Sequence, residues 1–561
     1  MAFNSFHLIP AAVGLILTVL STSAFGQNLQ WAKQIGGAGW DEGTSIKTDQ
    51  NNHVYTVGLF IGTVDFDPGI GVFNLTAVGE KDAFICKLDA SGDLIWAKQF
   101  GDSASIDEKS SLEIDAFGNL YITNSFVGTV DFDPGPGSFN LTSQGMDRAV
   151  FIQKLDANGN FIWAKQIGGP FVPGFPNPTH SNAIAVDAGG NLYLTGYFDG
   201  TIDFDPHPAS TFNMASQYNA SDVFVCKLDT DGNFVWAKQF TGTQSNGGVG
   251  YAITVDGSGN IYSTGTIGGT MDFDPGPGTF QLTASVPGQT AIYISKLDPS
   301  GNFVWAKEMG PGEGSAIAMD EHNNIYSSGS ASPGYITVIN KHDLDGNLLW
   351  AKQLGGISGE SIAVDDNGHV YTAGLCFGTN DFDPGPGVFN LTGGDSDAFI
   401  SRLDSLGNFV WAGLLTGTNQ VWMESLTLDM NNNLYTTGYF NGTADVDPYS
   451  PIFNLSSPVI GYDLFINKLS TQAELGLEQQ GFEAHLIVYP NPTGGNLIVE
   501  LDKVYDELQI VVKTVHGQVV PAQWVQIEDR IEIQMNGESG IYLLEIADQK
   551  NHRAVLKIMK N

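Results

Sequence analysis

The chain is poor in cysteine. Its three cysteines, Cys86, Cys226 and Cys376, are an odd number that cannot pair completely, and their positions show no metal-ligand spacing. Cys86 and Cys226 fall at the same position of two non-adjacent sequence repeats, so we expect them to lie too far apart for a disulfide. The sequence therefore predicts buried free thiols.

Positive charge is also scarce, with 24 Lys and Arg against 61 Asp and Glu and a formal net charge of −37. A surface of this sign repels nucleic acid and anionic lipid, so we expect neither as a partner. The charge is permissive for cations, and it also keeps an extracellular protein soluble.

Long apolar runs are missing after the N-terminus. The run Leu8–Leu20 is too short to span a bilayer, and Ala24 and Gly26 provide small residues for cleavage before Gln27. Residues 1–26 are therefore predicted to be a signal peptide. No membrane span is expected in the mature protein.

Motifs of catalysis are missing as well. The ten histidines are scattered, and no Gly-x-Ser-x-Gly, His-Glu-x-x-His or phosphate-binding glycine loop occurs. The many aspartates leave open a carboxylate pair for glycoside chemistry. Most of them recur from repeat to repeat, however, and this favours a structural role because one active site needs one constellation.

The chain is instead rich in a repeated phrase, Trp-Ala-Lys or a near copy. Between the copies lie short β-branched and aromatic runs bounded by Gly, Asn and Asp, a pattern typical of strands joined by tight hairpins. We predict four strands per repeat, named a, b, c and d, with the tryptophan in the core and no helix after residue 26. The copies begin at Trp31, Trp96, Trp163, Trp236, Trp305, Trp350 and Trp411.

One repeat is short. The interval from Trp305 to Trp350 is 45 residues and keeps all four runs. About 40–45 residues is the usual length of one four-stranded propeller blade. The longer repeats therefore add an insertion between strands b and c.

The two ends of the repeat series are complementary. Residues 28–35 form a strand d with nothing before it, and the series finishes with strands a, b and c within residues 425–469. The sequence thus predicts an all-β fold with a seven-bladed β-propeller over residues 27–469, closed by the N-terminal strand so that no sheet edge stays unpaired. A linear solenoid with polar caps is the competing architecture.

Residues 28–469 resemble the bacterial β-propeller repeats of the SBBP type found in secreted proteins. The matching phrases are Asp82–Asp89, Asp222–Asp229 and Asp397–Asp404. The resemblance implies a propeller and says little about activity, since propellers host many unrelated functions.

The sequence changes character after a predicted polar linker at residues 470–484. Short strands over residues 485–561 predict a small C-terminal β-sandwich. The phrase Tyr489-Pro490-Asn491-Pro492, the strand Gly540–Ile546 and the basic end Lys557–Lys560 resemble the type A C-terminal sorting domain of the type IX secretion system of Bacteroidota. The resemblance implies export by that machinery, usually with removal of the tail, and then release or attachment at the cell surface. An ordinary immunoglobulin-like adhesive module is the alternative.

Variable loops are expected on the face where the b–c and d–a connections emerge. Trp40, Asp41 and Trp422 lie off the repeat pattern in such loops, beside the variable segments Pro170–His180 and Thr241–Gly250. Function on a rigid scaffold tends to lie on loops, so we predict these three residues as ligand-binding, with the tryptophans stacking on a sugar ring. Local loop packing is the alternative.

An Asp-x-Asp-Pro phrase recurs in the insertions. In an extended segment residues i and i+2 point the same way, so each pair presents two carboxylates to one hard cation such as calcium. The competing interpretation is a turn, in which Asp accepts backbone N–H bonds and Pro fixes φ. The candidate metal residues are Asp65, Asp67, Asp131, Asp133, Asp203, Asp205, Asp272, Asp274, Asp381, Asp383, Asp445 and Asp447.

The sequence favours a non-catalytic binding or scaffold protein that is secreted or displayed on the cell surface. We expect a monomer, with an extracellular glycan or protein as ligand and the type IX machinery as its export partner. A polysaccharide-active hydrolase or lyase using carboxylates on the b–c/d–a face is the alternative, and a passive surface-layer or adhesion component is a third possibility. An enzyme is expected to show unique polar residues that converge near the centre of the propeller.

Overall fold

A computed structural model describes residues 28–101, 105–106, 109–143, 148–168, 178–217, 220–243, 247–449, 452–458, 461–471, 479–480, 487–489, 493, 495–501, 505, 508–514, 519–527, 530–537, 540–547 and 553–560 of the chain. The predicted signal peptide lies outside these residues, as do most of the predicted linker and most of the segment Pro170–His180. One compact unit comprises Gly26–Ala473, and a second contains Glu474–Asn561.

Every regular element of the described residues is a β-strand, as the all-β prediction requires. Over the same residues there is no helix of the length and apolar character that a membrane crossing needs.

The first repeat shows the plan of the larger unit. Its strands follow β1 (Asn28–Ile35) and are β2 (Glu42–Thr48), β3 (Val54–Phe60), β4 (Thr63–Asp65), β5 (Asn74–Thr76), β6 (Asp82–Leu88) and β7 (Leu94–Phe100). Strands β2, β3, β6 and β7 form one antiparallel sheet in that order, as strands a, b, c and d, and β4 and β5 form the hairpin of the b–c insertion.

The second, third and fourth repeats follow the same plan. Their strands are β8 (Ser105–Ile106), β9 (Ser111–Ile114), β10 (Leu120–Val127), β11 (Thr129–Asp131), β12 (Asn140–Thr142), β13 (Ala149–Leu155), β14 (Phe161–Ile167), β15 (Thr179–Val186), β16 (Leu192–Phe198), β17 (Thr201–Asp203), β18 (Asn213–Ala215), β19 (Asp222–Leu228), β20 (Phe234–Gly242), β21 (Gly248–Val255), β22 (Ile261–Ile267), β23 (Thr270–Asp272), β24 (Gln281–Thr283), β25 (Ala291–Leu297) and β26 (Phe303–Met319).

The remaining repeats complete the larger unit. Their strands are β27 (Ile325–Ala331), β28 (Ile336–His342), β29 (Leu348–Leu354), β30 (Ser358–Val364), β31 (Val370–Asp381), β32 (Asn390–Leu403), β33 (Phe409–Gly417), β34 (Val421–Leu428), β35 (Leu434–Phe440), β36 (Thr443–Asp445), β37 (Asn454–Ser456) and β38 (Asp463–Ser470). The long β26 pairs first with β25 and then with β27, so it serves as strand d of one repeat and strand a of the next.

The N-terminal strand pairs with the last strand of the repeat series. β1 runs antiparallel to β38, from Asn28 opposite Ser470 to Ile35 opposite Leu464, in a sheet of order β1-β38-β35-β34. The buried side chain of Ile35 joins an apolar cluster with Phe84 of the first repeat and Ile466 of the last.

Neighbouring repeats are joined by hydrogen bonds from a backbone N–H of one strand a to a serine hydroxyl on strand a of the repeat before it. A bond of the same kind links the first repeat to the last. The backbone N–H of Leu112 donates to Ser45 Oγ of the preceding repeat, and Leu426 N–H donates to Ser361 Oγ. In the same way Ile46 N–H of the first repeat donates to Ser425 Oγ of the last. Strand β2 accordingly contacts both β9 and β34.

A network of four side chains stiffens each sheet near its a–b and c–d turns. In the first repeat Tyr55 Oη donates to Asp49 Oδ2 at 3.1 Å, the Lys87 ammonium lies 4.7 Å from the Tyr55 ring centroid, and Trp96 meets that ring edge-on. A hydrogen bond to a charged acceptor stabilises more than a neutral one, so the buried tyrosines bind the turns to the sheets. Equivalent Tyr–Asp bonds join Tyr121 to Asp115, Tyr193 to Asp187, Tyr262 to Asp256, Tyr326 to Asp320, Tyr371 to Asp365 and Tyr435 to Asp429.

The repeated tryptophans lie between neighbouring sheets. Trp305 and Trp411 are buried, as the predicted core role requires. The other repeated tryptophans are half-buried, so part of each of these side chains is in contact with solvent. Trp305 Nε1 donates to the carbonyl of Leu344 in the next c–d turn, and Trp31 Nε1 donates to the carbonyl of Ala90. Trp236 and Trp350 make the same kind of bond to the carbonyls of Pro299 and Ser405, whereas the buried indole N–H groups of Trp96 and Trp163 have no hydrogen-bond partner among the described residues.

All three cysteines are buried and free, as the sequence predicts. Cys86 and Cys226 each lie on a strand c in the apolar layer between sheets, where burial raises the pKa of the thiol of Cys86 to about 12. Their burial and raised pKa keep these thiols in the neutral form.

The C-terminal unit consists of two antiparallel sheets that share one apolar core. Val499 and Ile533 of one sheet and Leu544 and Ile558 of the other belong to this core. The strands, in sheets of order β39-β47-β46-β42-β43 and β40-β41-β45-β44, are β39 (Gln479–Gln480), β40 (Ile487–Tyr489), β41 (Asn496–Glu500), β42 (Gln509–Thr514), β43 (Val519–Val520), β44 (Ala522–Ile527), β45 (Arg530–Met535), β46 (Gly540–Ala547) and β47 (Arg553–Lys560).

Candidate functional site

An aromatic cluster forms where the first and last repeats meet on the b–c/d–a face. Tyr439 is at its centre: the Trp422 ring lies parallel to it at a centroid distance of 6.0 Å, and Trp40 lies 6.1 Å away. Tyr462 meets Tyr439 edge-on at 5.5 Å and packs on Trp40 at 4.6 Å. The aromatic cluster is defined by these four residues, Trp40, Trp422, Tyr439 and Tyr462.

The structure brings together two of the sequence-predicted ligand residues, Trp40 and Trp422, through Tyr439. Trp40 is 45% exposed, so part of its ring is open to a ligand. Trp422 is not in a loop, as the sequence suggested, but in strand β34, because β34 begins at Val421 and pairs Trp422 with Tyr439. Both tyrosines were missed because each belongs to a repeat strand or its edge and shows no local motif.

Asp41 has a different environment from the two tryptophans. Its side chain is fully buried and accepts the backbone N–H of Gly37 at 2.7 Å and that of Ile61 at 3.1 Å. Burial raises the pKa of Asp41 to about 7, the two N–H bonds oppose this rise, and the nearby carboxyl of Asp463 adds to it. In this conformation Asp41 holds the loop that carries Trp40 rather than facing a ligand.

An amide-lined cleft adjoins the aromatic cluster. It has a volume of about 610 Å³, and its lining includes Asn419, Gln420, Asn441 and Tyr462. Tyr462 Oη donates to Gln420 Oε1 at 2.6 Å, and Asn419 Nδ2 donates to Asn441 Oδ1 at 2.8 Å. Amides and phenols both donate and accept hydrogen bonds, so this wall suits a ligand with many hydroxyls.

The inner strand a of most repeats carries a β-bulge near the same face. A bulge inserts one residue opposite a single partner and re-aims its side chain. The residue before the bulge is Gly in most of these strands, and the residue after it is Ser or Ala. The bulged residue itself varies, and it is Glu in the last two repeats. The bulged residues are Thr44, Asn182, Tyr251, Ser315, Glu360 and Glu424.

A set of charged side chains converges from these inner strands. Lys109 Nζ lies 3.2 Å from Glu424 Oε2 and 3.9 Å from Glu360 Oε2, although Lys109 lies just before strand β9 of the second repeat and the two glutamates belong to the last two repeats. The inner polar group is defined as Glu42, Lys109, Tyr251, Glu313, Glu360 and Glu424. Glu42 connects it to the aromatic cluster, because Trp40 Nε1 donates to Glu42 Oε2 at 3.2 Å.

The pKa shifts within the inner polar group agree with this convergence. Partial loss of solvent around the ammonium lowers the pKa of Lys109, although its side chain is 68% exposed. The carboxylates of Glu424, Glu360 and Glu42 outweigh this effect and raise the pKa above its ordinary value. Burial and the charge of Glu313 raise the pKa of Tyr251, while Lys109 lowers it. Lys109 is therefore a cation held by the carboxylates of Glu424 and Glu360.

The Asp-x-Asp-Pro pairs adopt the turn geometry. Asp65 Oδ1 accepts the N–H groups of Asp67 and Phe73, Asp67 Oδ1 accepts that of Gly69, and Phe66 between them is buried. The same bonds from the backbone to the first Asp recur at Asp131, Asp203, Asp272, Asp381 and Asp445. Within the part of the chain that is described, no group of three or more His, Cys, Asp or Glu side chains is arranged to hold a metal ion.

Calcium binding by these pairs stays a prediction. Calcium bound between the two carboxylates of each pair would add oxygen ligands at the tip of every hairpin and hold the loop closed. The expected result is a Tm in millimolar calcium above the Tm in a chelator. Equal Tm values would contradict calcium binding and leave the hydrogen-bonded turn as the whole role of these residues.

The tail matches a known family, and the chain as a whole is similar to other proteins. Residues 487–561 match the family described as secretion system C-terminal sorting domain. An uncharacterized WD repeat-containing protein of Acanthamoeba polyphaga mimivirus is 22% identical over 439 residues, which cover 53% of this chain and 31% of that protein's length.

Two solved structures resemble the chain. A structure described as the Dos1 propeller has a TM-score of 0.37 at 9% identity and covers 80% of this chain and 96% of its own. The crystal structure of polysaccharide lyase Uly1 has a TM-score of 0.27 at 10% identity and covers 92% of this chain and 89% of its own.

The repeated four-stranded sheets define the larger unit as a β-propeller. Together with the matched tail, they identify a β-propeller protein that carries a type IX secretion C-terminal sorting domain. Such a tail implies interaction with the export machinery and delivery to the cell surface or the extracellular space.

Proposed function

We propose that the protein is a non-catalytic glycan-binding propeller, exported through the type IX machinery to the cell surface or the medium. The observation that carries this proposal is the aromatic cluster, whose exposed Trp40 lies beside a cleft lined by amides. Aromatic faces pack on the apolar faces of sugar rings, and amides bond the hydroxyls at their edges. This pairing of surfaces is suited to a saccharide.

We also propose that the larger unit is a closed propeller of seven blades, with β1 as the outer strand of the last. The pairing of β1 with β38 supports closure, as does the bond from Ile46 N–H to Ser425 Oγ. The aromatic cluster depends on this closure, because Trp40 comes from the first repeat and the other three rings come from the last.

The Trp40→Ala variant tests the glycan site. The purified full chain is screened on a glycan array, and the affinity for the best ligand is then measured by calorimetry. Loss of an exposed aromatic anchor is expected to weaken binding at least about tenfold, since such anchors often contribute roughly 2 kcal/mol or more. The control is Phe117→Ala, which removes a ring that is 82% exposed, more than Trp40, from an a–b turn on the opposite face.

Equal weakening by both variants, or unchanged affinity of Trp40→Ala, would contradict the placement of the site. If no glycan on the array binds, the glycan-binding function itself is wrong and a scaffold role is favoured.

A second candidate function is a polysaccharide-active enzyme, and the inner polar group favours it. Glu360 and Glu424 each have an oxygen within 4 Å of Lys109 Nζ, so the two oxygens lie within about 8 Å of each other, in the range of glycosidase carboxylate pairs. New reducing ends or unsaturated products in the array ligands would support this candidate. Release of products that Glu424→Gln abolishes would replace the non-catalytic proposal.

A further inference from the structure

Hydrogen bonds within the protein fix which end of each amide is left to a ligand in the cleft beside the aromatic cluster. The two ends differ in chemistry, since the oxygen of an amide accepts and its nitrogen donates. We propose that this fixed orientation makes the glycan site selective for sugars that carry an N-acetyl group, over unsubstituted, amino and acidic sugars. This inference rests on the proposed glycan binding and names the ligand class of that same site.

The orientation of the Asn419 amide follows from a backbone carbonyl. The carbonyl of Gly461 can only accept a hydrogen bond, and Asn441 Nδ2 donates to it. Asn441 therefore turns its Oδ1 towards Asn419, whose Nδ2 donates to that oxygen at 2.8 Å. Asn419 thus uses its nitrogen within the protein. Its Oδ1 is bonded to no donor among the described residues and is left as an acceptor for a ligand.

The amide of Gln420 is held in the opposite sense. Tyr462 Oη donates to Gln420 Oε1 at 2.6 Å, so the oxygen of this amide is engaged within the protein. The backbone carbonyl of Gln420 accepts the N–H of Asn441 at 3.0 Å, which anchors the residue at the wall of the cleft. The end that is left for a ligand is therefore Nε2, which offers two N–H donors.

An acetamido group matches this pair of amides. Its carbonyl oxygen can accept from Gln420 Nε2 while its N–H donates to Asn419 Oδ1, and both residues line the same cleft. A hydroxyl at the same ring position has a single oxygen and lacks the separate donor and acceptor atoms of an amide. A protonated amine has no acceptor for Gln420, and a carboxylate has no donor for Asn419. Each of these alternatives leaves part of the pair unbonded, which reduces affinity.

The cleft is continuous with the surface on which a sugar ring would stack. Tyr462 belongs to both, because its ring packs on Trp40 at 4.6 Å while its hydroxyl holds Gln420. The cleft volume of about 610 Å³ lies within the range of small-molecule sites. A sugar ring stacked on the exposed part of Trp40 can therefore direct a ring substituent towards the two amides.

The test compares four saccharides on the full chain by calorimetry: hexamers of N-acetylglucosamine, glucosamine, glucose and galacturonate. The N-acetylglucosamine hexamer is expected to bind at least about tenfold more tightly than each of the others, because it forms both further hydrogen bonds. Its preference over the glucose hexamer is expected to be unchanged as salt is raised, since salt screens charges and both ligands are neutral. Equal affinities for these two hexamers would overturn the proposal.

Two variants identify the residues responsible. Gln420→Leu removes the donor end and is expected to lower the preference for N-acetylglucosamine over glucose roughly threefold to tenfold. The matched control is Gln50→Leu, which makes the same change at an exposed a–b turn on the opposite face and is expected to leave the preference unchanged.

The second variant, Tyr462→Phe, separates the amide orientation from the stacking surface. It keeps the ring that packs on Trp40 and removes only the hydroxyl that holds Gln420. The preference for the N-acetyl sugar is expected to fall, because the Gln420 amide is then free to turn. The affinity for the glucose hexamer is expected to stay the same, a split that a merely structural role of Tyr462 would not produce.

The outcomes separate this inference from the proposed function. Glycan binding that Trp40→Ala weakens, but that shows no preference for N-acetyl sugars, would overturn the selectivity and leave the binding function intact. A preference that Gln50→Leu lowers as much as Gln420→Leu, or that neither Gln420→Leu nor Tyr462→Phe lowers, would also overturn it. An absence of any saccharide binding would overturn both.

Discussion

Deletion of residues 28–35 is expected to abolish the stable monomer. Strand β1 covers the outer edge of β38 over its whole length, and it contributes Ile35 to the core between the last and first repeats. Trp31 is lost with it, and so is the bond from its indole to the Ala90 carbonyl. The combined loss is expected to be on the order of 5 kcal/mol or more, which is comparable to the whole stability of a typical domain.

The measurement is size-exclusion chromatography with light scattering, together with urea unfolding of any soluble fraction. We expect aggregates, because the apolar strand β38 becomes an unpaired edge. A rearranged chain is the control: since Asn28 lies opposite Ser470, an Asn-Gly turn after Ser470 followed by residues 28–35 restores β1 by a hairpin. Recovery of the monomer in this variant is expected, and failure to recover would show that the pairing does not hold the propeller together.

The free energy of unfolding is expected to fall as the pH rises from about 4 to about 7. Burial raises the pKa of Asp41 to about 7 and that of Asp463 to about 6. The ordinary pKa of an aspartate is 3.8. As the pH rises from that value towards the raised values, the unfolded chain loses protons that the folded chain retains, so raising the pH favours the unfolded state. Above about pH 7 both states are ionised and this dependence ends.

Below about pH 4 the turn carboxylates act in the opposite direction. Burial opposes their ionisation, but hydrogen bonds from the turns lower the pKa of Asp187, Asp256 and Asp365. The stabilisation that these carboxylates provide is complete when the pH is above their pKa in the unfolded chain, and it is lost as the pH falls. Stability is therefore expected to be greatest near pH 4–5.

The Asp41→Asn variant tests this dependence. It is expected to flatten the decline between pH 4 and 7, because an amide does not titrate in this range. The amide can accept only one of the two N–H bonds that Asp41 accepts, so the variant is also expected to be less stable than the unmodified protein at pH 4–5. Asp345→Asn, at an exposed turn, is expected to leave the profile unchanged. An unaltered pH profile for Asp41→Asn in urea titrations would contradict the assignment of the decline to this carboxyl.

Much of the fold follows from the sequence, because local signals repeat and agree. The short apolar runs became strands, and the clusters of Gly, Asn and Asp between them became turns in which, for example, Asp156 accepts the N–H groups of Asn158 and Asn160. The missing strand of the last repeat was visible in the Trp31 segment. Each of these features depends on residues close in sequence, where spacing and backbone chemistry decide the structure.

The candidate site was only half predictable, since it depends on contacts between distant repeats. Trp40 and Trp422 stood out because they leave the repeat pattern, whereas Tyr439 and Tyr462 occupy strand positions and gain their role only when the first and last repeats meet. Lys109, Glu360 and Glu424 form a group for the same reason. The burial of Asp41 likewise depends on Gly37 and Ile61 folding over it, which no pattern of spacing reveals.

The tryptophan contacts between sheets also constrain how such a chain can change in evolution. The indole N–H of Trp305 donates to the carbonyl of Leu344, which lies in the c–d turn of the repeat that lacks the insertion hairpin. The indole N–H of Trp350 donates in the same way to the carbonyl of Ser405 in the c–d turn of the following repeat. The contact thus survives when the hairpin is absent, but it would be broken by removing part of a repeat. Where the bond is present, it joins a strand d to the c–d turn of the next repeat, so the insertion hairpin between strands b and c can be present or absent without disturbing it.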